Sequence, residues 1–96
     1  MVKKLSRQEI DIFLQENPNW TLVKEREAVE IKYVFKNFKA AFAFMTQMAM
    51  HAEQMCHHPE WFNVYNQVHV VLTTHDCDGL SEKDIKMAKI MDKLAA

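Results

Sequence analysis

Apolar residues recur along this chain with a period that switches between helical and alternating, and the switches divide it into elements in the order α-β-β-α-β-β-α. Ile10, Phe13 and Leu14 keep the i, i+3, i+4 spacing of a helix with one apolar face. Ser6 with Glu9 forms a capping-box pattern at its start, Leu5 and Ile10 can staple around it, and Asn17-Pro18 ends it. Trp20 to Lys24 and Ala28 to Lys36 read as strands, the second with Val29, Ile31, Tyr33 and Phe35 alternating against Glu30, Lys32 and Val34. Only polar Lys24 to Glu27 separate them, which predicts an antiparallel hairpin.

From Asn37 the period lengthens. Phe38, Ala41, Phe42, Met45, Met48, Ala49, Ala52 and Met55 predict a long central helix with no internal Gly or Pro, and Phe44 lies near its opposite face. A helix apolar on more than one side is buried twice over or meets another subunit. Proline disfavours helix at the residue before it, so Pro59 should end this helix near His57. Strands Trp61 to Tyr65 and Val68 to Thr74 follow around an Asn66-Gln67 turn, with Val68, Val70 and Leu72 on one face and His69, Val71 and Thr73 on the other. Gly79 marks a sharp turn, and Ser81 with Asp84 opens a last helix carrying Ile85, Ala88, Met91 and Ala95. The order predicts an α+β fold in one domain, residues 1–96, with a four-stranded antiparallel sheet and three helices packed on one face.

Composition narrows the partners. The chain has 96 residues, 49% of them hydrophobic, with seven Met and six Phe: enough for one soft, thin core that a homodimer or homotetramer would help to stabilise. A formal charge of -1 without any Lys or Arg block argues against direct nucleic-acid or anionic-membrane binding. The start MVKKLSRQEI has no apolar signal-like run and no stretch approaches a membrane span, which suggests an intracellular, cytoplasmic chain. Two cysteines are too few for a disulfide framework.

Candidate chemistry gathers between Glu53 and Leu80, where His57, His58 and His75 stand at a helix end and a strand end. A metal site would draw on these with Cys56, Cys77, Asp76 and Glu53, but no Cys-x-x-Cys, His-x-x-x-His or His-Glu-x-x-His spacing is present. A cysteine nucleophile rests only on adjacency in sequence, against the plainer reading of Cys56 and Cys77 as small half-buried thiols. Acid-base catalysis suits the histidines, since imidazole titrates at about 6.5 and such groups contribute about 10² to 10⁴ in rate. Glu53 lies four residues before His57 and could orient it, or be an exposed helix carboxylate. Asp84 could be only the polar partner of a helix start.

Glu53, HHPEWFNVYNQV from His57, Thr74-His75-Asp76, Gly79-Leu80-Ser81 and Asp84 together resemble the signature of the pterin-4a-carbinolamine dehydratases, and Trp20 resembles that family's N-terminal tryptophan. The resemblance covers nearly the whole chain. It implies removal of water from 4a-hydroxytetrahydrobiopterin to give quinonoid dihydrobiopterin, which recycles the cofactor of aromatic amino-acid hydroxylases, with no metal or organic cofactor. It implies that His57 and His75 exchange protons while His58 holds the pterin ring. Glu53 and Asp84 would tune the histidines, Trp20 would wall the pocket, and main-chain groups around Pro59 and from Thr74 through Asp76 to Cys77 would contact the pterin. Cys56 and Lys83 depart from the family, where a polar residue and Arg are more usual. The rival function implied is a transcriptional coactivator, cytoplasmic and nuclear, that stabilises the dimer of a homeodomain transcription factor through its dimerisation helix.

Overall fold

The central helix α2 (Phe38–Met55) lies across a four-stranded sheet in a computed structural model that describes residues 2–96. Asn37 caps α2 by accepting from the Ala40 amide, and Ala41, Phe44, Met48 and Ala52 form its buried stripe. The sequence pattern gave Phe44 to the far side. In the fold it faces the core, ringed by Tyr33 and Phe35, whereas Phe38 and Phe42 point outward at 49% and 54% exposure. The helix is thus apolar on two faces, one spent on the core and one left on the surface.

Strands β1 (Thr21–Leu22), β2 (Val29–Val34), β3 (Glu60–Val64) and β4 (Gln67–Leu72) pair antiparallel in the order β1-β2-β4-β3. Val29, Ile31, Val68, Val70 and Leu72 are buried towards α2, α1 (Arg7–Glu16) and α3 (Glu82–Ala95). Alternation puts Glu30, Lys32 and His69 on the other, uncovered face. Met48, Met87 and Met91 are fully buried, each worth about 1.5–3 kcal/mol of apolar burial. Met87 is thus a core position that the spacing of Ile85 and Ala88 did not single out.

Two turns differ from expectation. Val64 pairs with Gln67, so the β3–β4 hairpin turns on Tyr65 and Asn66, with Tyr65 at φ 48°. The Asn63 side chain pays for this by donating to the carbonyls of Tyr65 and Gln67. At the other corner the left-handed residue is Asp78 (φ 53°), while Gly79 is there for space: a Cβ on it would lie 2.1 Å from Glu27 Oε2, which accepts from the Leu80 amide. Among the described residues no helix is long and apolar enough to cross a membrane.

Trp20 and Tyr33 share one acceptor, Asp92 on α3. Burial, and then the bond to Asp92, pushes the Tyr33 phenol well above its ordinary value of 10.0. Above pH 10 the unfolded chain therefore loses this proton while the native chain keeps it. The contribution is complete below pH 10 and declines as pH rises. Tyr33→Phe is expected to cost about 1.5–3 kcal/mol at neutral pH from the lost bond to a carboxylate. Urea midpoints measured from pH 9 to 11.5 should fall less steeply for this variant than for the parent.

Candidate active site

The site begins where α2 stops. Cys56 adopts the left-handed conformation (φ 52°, ψ 40°) and its amide, with that of His57, caps the carbonyls of the last turn. The chain therefore leaves the helical path one residue before the histidine pair, and the i, i+4 geometry between Glu53 and His57 is never formed. Glu53 instead reaches His58, with Oε1 3.1 Å from Nε2, in a pair exposed enough to contribute well under 1 kcal/mol. His57 turns inward, and its Nε2 lies 2.6 Å from Oδ1 of Asp84 on α3. Both are buried, at 7% and 2% exposure.

Asp84 is more than a helix-start residue. It closes the capping box of α3 with Ser81, and its Oδ2 accepts from the Ser81 amide at 3.0 Å and the Thr74 hydroxyl at 2.7 Å. The Ser81 hydroxyl is 2.7 Å from that of Thr74. Because the Thr74 proton goes to Asp84, Ser81 donates to Thr74 and the chain of hydroxyls has one direction. A carboxylate only accepts, so His57 must carry its proton on Nε2. No fully buried polar side-chain atom among the described residues lacks a partner, and Nδ1 makes no bond within the protein. Nδ1 is therefore open to solvent with its lone pair free.

His57 lines a cleft of about 330 Å³, a volume at the lower end of small-molecule sites. His57, His58 and Pro59 line one side and Thr74, His75 and Asp76 the other. His75 and Asp76 belong to a single 3-10 turn, His75–Cys77, beyond the end of β4, closed by the Thr74–Gly79 bridge. The two chain corners that carry the histidines thus meet. Cys56 and Lys83, the two departures, also line the cleft.

Other expected residues lie elsewhere. Trp20 is 2% exposed in the core between Phe13 and Tyr33, and does not line this cleft. Its large apolar ring with a single N–H donor is satisfied there by Asp92. Cys77 directs its thiol at the carbonyls of Thr74, Gly79 and Leu80. Among the described residues no three His, Cys, Asp or Glu side chains are grouped to hold a metal ion. Glu60 also lines the cleft and is held by Arg26 from the β1–β2 turn. No spacing rule joins residues 34 apart, so the pair is invisible in sequence. Arg26 keeps the Glu60 carboxyl below the usual range.

A small α+β protein with three imidazoles converging on one polar cleft, one of them locked by a buried carboxylate, is the class that fold and site define. Residues 3–94 match the family model described as pterin 4 alpha carbinolamine dehydratase, and the chain belongs to that family. It is 48% identical over 96 residues to a Burkholderia orbicola protein provisionally named pterin-4-alpha-carbinolamine dehydratase, covering 100% of this chain and 94% of the relative. A similarly named Burkholderia multivorans protein is 49% identical with the same coverage. The crystal structure of a transcriptional coactivator/pterin dehydratase from Brucella melitensis superposes with a TM-score of 0.95 at 45% identity, covering 98% of this chain and 100% of that one.

Proposed function

We propose that this chain dehydrates 4a-hydroxytetrahydrobiopterin to quinonoid dihydrobiopterin in the cytoplasm, recycling the cofactor of aromatic amino-acid hydroxylases. The observation that carries the reading is the Asp84–His57 pair at the floor of a cleft that also holds His58 and His75. In the reaction the C4a–O bond breaks, the leaving hydroxyl takes a proton and departs as water, N5 loses its proton, and the N5–C4a double bond forms. One group must give a proton and another must accept one, and the two are needed on opposite sides of the reacting bond. His57, with Nδ1 free, accepts the N5 proton; His75 donates a proton to the leaving hydroxyl. For the opposite C4a epimer the roles exchange, since an imidazole can either give or take a proton. His58 holds the ring beside them, with Glu53 orienting His58. Main-chain groups at Pro59 and Thr74 to Asp76 bound the pterin. The test is a hydroxylase reaction run on catalytic tetrahydrobiopterin with excess reductant for the quinonoid product. Adding this chain should raise turnover when dehydration limits it; unchanged turnover under those conditions would count against the proposal.

A second role is supported by the outward face of α2. Phe42, Met45, Ala49 and Met50 with Trp61 border an almost wholly apolar groove, of a kind that monomers seldom leave bare. Self-association into a homodimer or homotetramer is the occupant this reading favours; a transcription-factor dimerisation helix would compete for the same face, as in a coactivator. Phe42→Glu should lower the mass measured by light scattering at micromolar concentration while leaving the circular dichroism spectrum unchanged. An unaltered mass would place the subunit contact elsewhere.

A further inference from the structure

We infer that the Glu60 carboxylate is the group that reads the 2-amino-4-oxopyrimidine edge of the pterin, and that Arg26 occupies it as a stand-in when the cleft is empty. The inference rests on the dehydratase reading and deepens it. Glu60 is the first residue of β3, immediately after Pro59, so the strand that starts the sheet edge also delivers its carboxylate into the cleft beside His75. Arg26 shows what shape of donor it accepts: Nη1 lies 2.7 Å from Oε1 and Nη2 2.7 Å from Oε2, a planar fork of two N–H groups on one carbon. A pterin presents the same pattern, since N3–H and the 2-amino group flank C2 and point the same way. The guanidinium and the aminopyrimidine edge are thus interchangeable partners for one carboxylate.

Exchange is easy in this place. Both side chains of the Arg26–Glu60 pair are 43% exposed, so Arg26 can swing into water with its charge solvated while a second planar fork takes its place. A glutamate carboxylate is ionised at neutral pH, which is the state that accepts two N–H donors. The other carboxylate lining the cleft, Asp76, sits exposed on the 3-10 turn with no partner that fixes its orientation among the described residues.

The discriminating ligands are 7,8-dihydrobiopterin and its 2,4-dioxo counterpart, a lumazine with the same side chain and ring reduction. The lumazine offers N3–H but sets a carbonyl against Glu60 where the pterin sets an amino group. Titration of the native protein should show a preference for the 2-amino compound of about 10- to 100-fold, the range for hydrogen bonds to a charged group. Glu60→Gln should abolish or reverse that preference, because a carboxamide can accept from N3–H and donate to the 2-oxo group. Asp76→Asn should keep it. Arg26→Ala should tighten the 2-amino compound, since the competitor for the Glu60 carboxylate is removed. If Glu60→Gln retains the native preference, or Arg26→Ala weakens the 2-amino compound, the assignment of Glu60 is overturned while the dehydratase reading stands. If the native protein binds neither compound, the dehydratase reading itself fails.

Discussion

Replacing His57 and His75 together by alanine is expected to bring dehydration close to the uncatalysed rate. Each imidazole acting as general acid or base is worth about 10² to 10⁴, and the two act on different atoms of the same bond change. Losing one leaves a proton that water must carry; losing both leaves only a shaped cleft. The single His75→Ala variant isolates the chemistry best, since the turn uses only the His75 carbonyl, which accepts from the Asp78 amide and survives the substitution. His57→Ala also strands the Asp84 carboxylate, so its activity is to be compared at equal folded fraction by circular dichroism. A double variant of undiminished activity would remove the histidines from the mechanism.

Asp84 carries the second large effect, and it reaches stability and chemistry together. Asp84→Ala deletes one side of the α3 capping box and strands the Thr74 hydroxyl, the Ser81 amide and His57 Nε2 in a buried place. Breaking a buried pair in this way costs about 3–5 kcal/mol. In a domain of this size the thermal midpoint should fall by at least about 12 °C. Asp84→Asn separates the two roles. The amide still accepts at the helix start, but a nitrogen turned to His57 meets an N–H and favours the opposite tautomer, a change that costs about 10⁴ in enzymes built on an Asp–His pair. Nitrogen-15 shifts of the His57 ring should move the proton from Nε2 to Nδ1 in this variant, with kcat lost far more than stability. A purely structural Asp84 would lower the midpoint without moving the tautomer.

The elements themselves were legible because each rests on short-range rules. Ser6–Glu9 and Ser81–Asp84 both form the capping boxes their spacing predicts, and α2 runs from Phe38 to Met55 as its period indicates. Details set by non-local contacts were not. Phe44 faces inward because Tyr33 and Phe35 receive it, and Gly79 leaves room for a carboxylate 52 residues away in sequence. In the site, the meeting of His57, His58 and His75 followed from the corner at Pro59 and the strand return. Helical spacing offers Glu53 to His57, with an exposed helix carboxylate as the other reading; Cys56 ends the helix first, so Glu53 stays exposed and reaches His58, while Asp84 takes His57. Trp20 was expected at the pocket on resemblance alone, and the fold spends it on the core.

The central claim is that this chain catalyses loss of water from a carbinolamine by histidine acid-base chemistry. Stopped-flow mixing with freshly generated 4a-hydroxytetrahydrobiopterin tests it most directly. The account predicts many turnovers per chain, with the carbinolamine absorbance decaying far faster than in buffer and the acceleration lost in the His57→Ala, His75→Ala double variant. Decay at the buffer rate with the native, folded protein would contradict it.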